Sequence, residues 1–207
     1  MTAKRNIFSP SEFRAIHNSD FFYVKASATK KMDALLAKAR DEIKFFIEEE
    51  KIIFPKKVDS KTGKIFRGEN YLGLPYLLLD YPKYFGNDSV FAFRTMFWWG
   101  QYFSCALHLS PIPKEINFKK LLRKEVYICV NNTPWQYHYE KDNYVLIDTL
   151  SERKIKSILM KNNFIKLSRK LKLKEYLKLP EFAKETFAIL FSSILNQAEL
   201  PQDRNSV

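Results

Sequence analysis

Between Ser89 and Pro113 the chain carries one formal charge, Arg94, in twenty-five positions, although the sequence as a whole is strongly basic. The stretch contains Val90-Phe-Ala-Phe-Arg-Thr-Met-Phe-Trp-Trp-Gly-Gln-Tyr-Phe-Ser-Cys-Ala-Leu-His-Leu109. Side chains this large and apolar must leave water together, so this segment has to be the centre of the core. Arg94, Gly100, Gln101 and His108 interrupt the apolar run, and no transmembrane segment is expected here. A buried helix is a rival reading, given Ala92, Met96 and Ala106. The favoured reading is a β-hairpin with strands over 90–99 and 102–109, turning at Gly100-Gln101 in a two-residue loop. That register pairs Trp98 with Phe103, Met96 with Cys105 and Arg94 with Leu107, and puts Trp98 and Trp99 on opposite faces, each buried. Both faces are apolar, as in a central strand covered on both sides.

The flanks supply helices. Ser9-Pro10-Ser11-Glu12 has the form of a capping box with proline at the first helical position, and predicts a short helix ending near Asn18. Phe8 and Phe13 are placed for a hydrophobic staple. Met32, Leu35, Leu36, Ala39, Ile43, Phe46 and Ile47 predict an amphipathic helix over 28–50. Residues 51–70 form a basic loop, a hairpin tip or a flap, and β structure begins after Tyr71. A strand is expected over 76–80 and a turn over 81–88. Pro111 and Pro113 end the central hairpin and precede a basic helix over 114–124. Strands are expected at 127–130, 135–139 and 144–147. Thr149-Leu-Ser-Glu152 predicts a helix over 150–161, and residues 164–173 alternate as a strand does. A last helix runs over 180–196. The fold class is therefore α+β: an antiparallel, aromatic-rich sheet with N- and C-terminal helices packed on it. One domain over 1–200 is expected, with a disordered tail over 201–207.

Composition narrows the function mainly by exclusion. Five glycines in 207 residues leave little for a phosphate or dinucleotide loop, and no such motif occurs. No Gly-x-Ser-x-Gly, Cys-x-x-Cys or His-Glu-x-x-His is present, and no cofactor is expected. Cys105 and Cys129 lie in apolar surroundings and read as free thiols in a reducing, cytoplasmic compartment. The net charge of +12 favours an acidic partner, either nucleic acid or an anionic small molecule. Basic patches fall at 51–67, 114–124 and 161–184.

Three constellations are candidate sites. In Trp135-Gln-Tyr-His-Tyr-Glu-Lys-Asp142, an extended backbone would turn His138, Glu140 and Asp142 to one side, about 7 Å apart at each step. That arrangement suits an acid/base or metal site of a hydrolase-like enzyme. Arg94 and His108 lie inside the apolar hairpin. Arg94 is either the anion-recognising floor of an aromatic pocket or half of a buried ion pair, with Asp80 the preferred partner over Glu69. Gly68 suggests a tight turn presenting Arg67 and Glu69 just before the first strand.

The runs Glu69-Asn-Tyr-Leu-Gly-Leu-Pro-Tyr-Leu-Leu-Leu-Asp80 and Phe91-Ala-Phe-Arg-Thr-Met-Phe-Trp-Trp-Gly100 resemble those of an uncharacterised bacterial protein family, over about residues 65–110. The resemblance implies a cytoplasmic bacterial α+β protein and brings no catalytic residues with it. The leading functional expectation is a soluble, non-catalytic binding protein for an anionic ligand or nucleic acid. An enzyme centred on His138, Glu140 and Asp142 is one alternative. An interaction module docking through its basic helices is the other.

Overall fold

Nine-residue apolar strands with few charges can be buried only in the middle of a sheet, and the computed structural model, which describes residues 7–194, places them there. Its strands are β1 (Lys64–Tyr71), β2 (Leu74–Phe85), β3 (Val90–Trp98), β4 (Tyr102–Ser110), β5 (Tyr127–Cys129), β6 (Tyr144–Leu146) and β7 (Ile165–Lys172). They form one seven-stranded sheet in the order β1-β2-β3-β4-β7-β5-β6, with every pairing antiparallel. The helices are α1 (Pro10–His17), α2 (Ser19–Glu49), α3 (Glu152–Lys161) and α4 (Leu179–Ser192). The α+β class and the aromatic-rich antiparallel sheet are as the sequence predicts. No helix among the described residues is long and apolar enough to cross a membrane.

The described residues group into two compact units that divide between Ala34 and Leu35. In the first, Ser9 closes the expected capping box with Glu12. Phe8 and Phe13 remain exposed, and Phe13 lies against His17. The second helix begins earlier than its apolar stripe suggests, because the Asn18 side chain accepts the amide of Phe21 and caps a start at Ser19. In the second unit one face of the sheet is the apolar core. Phe91, Phe93, Phe97, Phe103, Leu107 and Leu109 are buried on it. They meet α4 and the later turns of α2: Phe187 lies edge-on to Phe93 at 5.2 Å and to Phe46 at 6.1 Å. Each fully buried Phe or Leu contributes about 1.5–3 kcal/mol.

Several boundaries differ from the sequence reading. The hairpin register is one residue off: Trp98 pairs Tyr102, Phe97 pairs Phe103, Met96 pairs Ser104 and Arg94 pairs Ala106. The loop has three residues, Trp99-Gly100-Gln101, with Gly100 at φ +69° and the Gln101 amide bonded to the Trp98 carbonyl. Trp99 is therefore in the turn and half-buried against Phe97. β1 occupies part of the expected basic loop. β2 runs through the expected turn at 81–85, past a cis Tyr81–Pro82 peptide where the pairing slips by one residue. The basic helix over 114–124 is one 3-10 turn, Phe118–Leu121, where positive φ at Arg123 and Glu125 breaks any longer helix. Residues 135–139 join no strand. The helix over 150–161 is capped by Ser151, since Thr149 bonds back to the Leu146 carbonyl. The last two positions of the helix predicted over 180–196, and the tail over 201–207, lie outside the described residues.

Candidate functional site

The second face of the sheet carries polar and aromatic side chains in place of a helix-packed core. Pairing partners in an antiparallel sheet share a face. Asp80 (β2), Arg94 and Trp98 (β3), Tyr102 and His108 (β4) and Lys166, Ser168 and Lys170 (β7) are therefore on one side. Residues 131–143 cross this face as a strap. The strap keeps the side-chain alternation of a strand without pairing as one. Trp135, Tyr137 and Tyr139 turn down onto the sheet: Trp135 against His108 at 5.6 Å, Tyr137 under Lys166 and Arg94, and Tyr139 onto Ser168. The Tyr71 hydroxyl accepts the amides of Tyr137 and His138 and holds the strap from the side.

At the centre Arg94 grips Asp80 through two parallel bonds, Nε to Oδ1 at 2.6 Å and Nη2 to Oδ2 at 2.7 Å, and donates a third to the Tyr137 hydroxyl. Burial disfavours the guanidinium charge, but the Asp80 hydrogen bonds and charge outweigh it and hold Arg94 above its ordinary value. Glu69 does not take part in this grip. His108 is buried, and burial, with the nearby Lys166 and Arg94 charges, lowers its pKa to about 3, so it is a neutral ring. The cavity bounded by Arg94, His108, Trp135 and Lys166 has about 10 Å³, room for a water at most. Of the two sequence readings of Arg94, the floor of an anion pocket or half of a buried ion pair with Asp80, the structure has the second, closed and bidentate.

Lys166 is the residue that the sequence reading missed here. It is 2 % exposed and donates to the carbonyls of Pro134 at 2.7 Å and Gln136 at 2.8 Å, pinning the strap to β7. Burial pulls its pKa down to about 7, opposed by Cys129 and reinforced by Arg94. The Cys129 thiol is pushed up by burial and is a poor nucleophile.

Farther along the strap, His138, Glu140 and Asp142 do come together. With Trp98, Tyr102, Tyr139 and Lys170 they line an open cleft of about 330 Å³. His138 Nδ1 lies 3.9 Å from Asp142 Oδ1, beyond hydrogen-bond range. Among the described residues no group of three His, Cys, Asp or Glu side chains is arranged to hold a metal ion, so the metal reading of this triad has no geometry behind it. No serine, threonine or cysteine lines the cleft to act as a nucleophile.

At the opposite end of the same face, β1 and β2 present an exposed strip. Phe66 pairs with Leu78, and Lys83 and Phe85 follow the slip in β2 opposite Ala92 and Val90, all on the strap side. Phe66, Phe85 and Trp135 are 42 %, 45 % and 49 % exposed. Lys64 and Lys83 place their ammonium groups 5.2 and 5.5 Å from the Phe66 ring, and Phe85 and Trp135 lie 6.4 Å apart. The carboxylates beside the strip are engaged: Asp80 by Arg94, and Asp59 by the amides of Lys61 and Thr62. Arg67 and Glu69 are exposed on edge strand β1. They are not on a tight turn, and Arg67 pairs Leu77 on the face opposite the strip. Gly68 lies under the Tyr76 ring, so a Cβ there would push the outer end of that side chain aside.

A third concavity, about 610 Å³, runs between α3 and residues 113–119. Comparison of the chain with protein-family models, with curated proteins and with solved structures gives no match.

Proposed function

We propose that this protein is a non-catalytic binder of single-stranded nucleic acid, and that the strip of Lys64, Phe66, Lys83, Phe85 and Trp135 makes the contact. One observation carries the reading: three accessible rings, Phe66 and Phe85 of the sheet and Trp135 of the strap, lie along one face, with the ammonium groups of Lys64 and Lys83 over Phe66. Rings offer stacking surfaces to any base, and lysines beside them neutralise the phosphates. The net charge of +12 supports an anionic partner. The free thiols of Cys105 and Cys129 fit a reducing bacterial cytoplasm. An anion pocket at Arg94 is not part of the reading, since Asp80 takes its Nε and Nη2 donors and Tyr137 its Nη1.

Fluorescence anisotropy with labelled oligo(dT) and oligo(U) tests this. Affinity should fall steeply with salt, with a logarithmic slope of about −0.7 per neutralised phosphate. Lys64→Glu with Lys83→Glu should flatten that slope by about 1.4. Phe66→Ala should cost about 1–3 kcal/mol of binding at constant salt slope. Absence of binding to either oligonucleotide at about 50 mM salt, where such contacts are strongest, would overturn the reading.

A further inference from the structure

Two buried hydrogen-bonding atoms without a partner in the protein belong to residues of the same cleft: Nε1 of Trp98 and Nδ1 of His138. Buried polar groups are almost always paired, and an orphan donor is a standing cost that an incoming acceptor removes. The Trp98 ring cannot turn away to find a partner. The Trp98 ring, 5 % exposed, is fixed edge-on between Tyr71 at 5.0 Å and Tyr102 at 5.4 Å. The His138 backbone is held on both sides, its amide on the Tyr71 hydroxyl at 3.1 Å and its carbonyl by the Asn143 side chain at 2.6 Å.

The indole N–H only donates, so a ligand must bring an acceptor. Lys170 stands in the same wall and favours an anionic acceptor. Glu140 and Asp142 are exposed there too, and with Lys170 they leave the cleft with a formal charge of about −1 if His138 is neutral. An anion alone is poorly matched to that wall. A molecule with a carboxylate at one end and an ammonium at the other meets both halves of it. The volume of about 330 Å³ suits a small metabolite.

We propose that this cleft binds a free amino acid or a similar small zwitterion. Its carboxylate accepts from Trp98 Nε1, His138 and Lys170, and its ammonium donates to Glu140 and Asp142. The site is at the other end of the strap from the Lys64–Trp135 strip and does not depend on nucleic-acid binding.

Thermal shift of the full chain with each common L-amino acid comes first. The best of them is then compared by titration calorimetry with its deaminated acid and its decarboxylated amine. At least one amino acid should raise the melting temperature, and both half-molecules should bind at least about tenfold more weakly. Trp98→Phe keeps an aromatic, though smaller, ring and deletes the N–H, and should weaken the amino acid about tenfold. Glu140→Gln, an exposed change that cannot unfold the chain, should weaken the amino acid and the amine but spare the acid. No shift with any amino acid would overturn the proposal and leave the two orphan atoms to water. So would a deaminated acid that binds as well as its parent, or undiminished affinity in both variants.

Discussion

Arg94 is readable in the sequence because it is alone: one guanidinium among twenty-four uncharged neighbours has to find a counter-charge or a ligand. It finds Asp80, directly opposite on β2. Either single truncation strands a buried charge, but the consequences differ. A stranded carboxylate can take up a proton, whereas a stranded guanidinium cannot. Asp80→Ala should therefore cost about 3–5 kcal/mol in urea unfolding, and Arg94→Met less. The double variant Arg94→Met/Asp80→Leu should recover most of the loss, because an apolar pair of similar volume avoids both desolvation penalties. If Arg94→Met were the more damaging change, the Tyr137 bond and not the Asp80 pair would be its main role. Lys166 was not readable in this way. In Lys166-Leu-Ser-Arg-Lys-Leu-Lys172 it is one base among several in an alternating run, and alternation assigns such residues to solvent. Only the strap, which supplies two carbonyls above it, makes a buried ammonium tenable.

The central hairpin shows how far periodicity reaches. Its two strands, to within a residue at their ends, follow from the long apolar run. The register does not, because Trp-Trp-Gly-Gln can close with two residues or three, and a single-residue change moves every side chain of one strand to the other face. The three-residue loop puts Tyr102 and His108 beside Trp98 and Arg94, which creates the polar face and its cleft. Gly100 sits at φ +69° with open space around its α-carbon, so Gly100→Ala should cost about 1–2 kcal/mol through backbone strain alone. Gly100→Asn should cost less, since Asn tolerates this conformation. Equal losses in chemical denaturation would mean that the loop is not held in the left-handed region. The strap escaped in part for a different reason. His138, Glu140 and Asp142 do meet, but through a turn in which the Glu140 carbonyl accepts the amides of Asn143 and Tyr144 and brings Asp142 back to His138, not through strand alternation; and the strap's partner is the sheet face beneath it and not a neighbouring strand. No local pattern encodes that.

Titration joins these local features into one stability profile for the molecule. His108 has a pKa of about 3 in the fold against 6.5 ordinarily. The unfolded chain therefore takes up a proton that the folded chain refuses, and stability is lost as pH falls from 6.5 toward 3. Lys166 acts at the other end. Its pKa is about 7 in the fold against 10.5 ordinarily. Between those values the folded chain has given up a proton that the unfolded chain still holds, so stability rises with pH, by at most about 1.4 kcal/mol per pH unit. Tyr139 and Tyr144 are raised by burial well above 10. Above that pH the unfolded chain ionises first and stability falls again. The wild-type chain should thus gain stability from pH 7 to 9.5 and lose it beyond 10. Lys166→Met should be less stable throughout, because the carbonyls of Pro134 and Gln136 lose their donor at about 1–3 kcal/mol each. It should also lack the rise between pH 7 and 9.5. Urea unfolding of both proteins at these two pH values isolates the effect, since every other titrating group is common to them. Parallel pH profiles would show that the Lys166 ammonium keeps its proton in the fold, held by the two strap carbonyls against the cost of its burial.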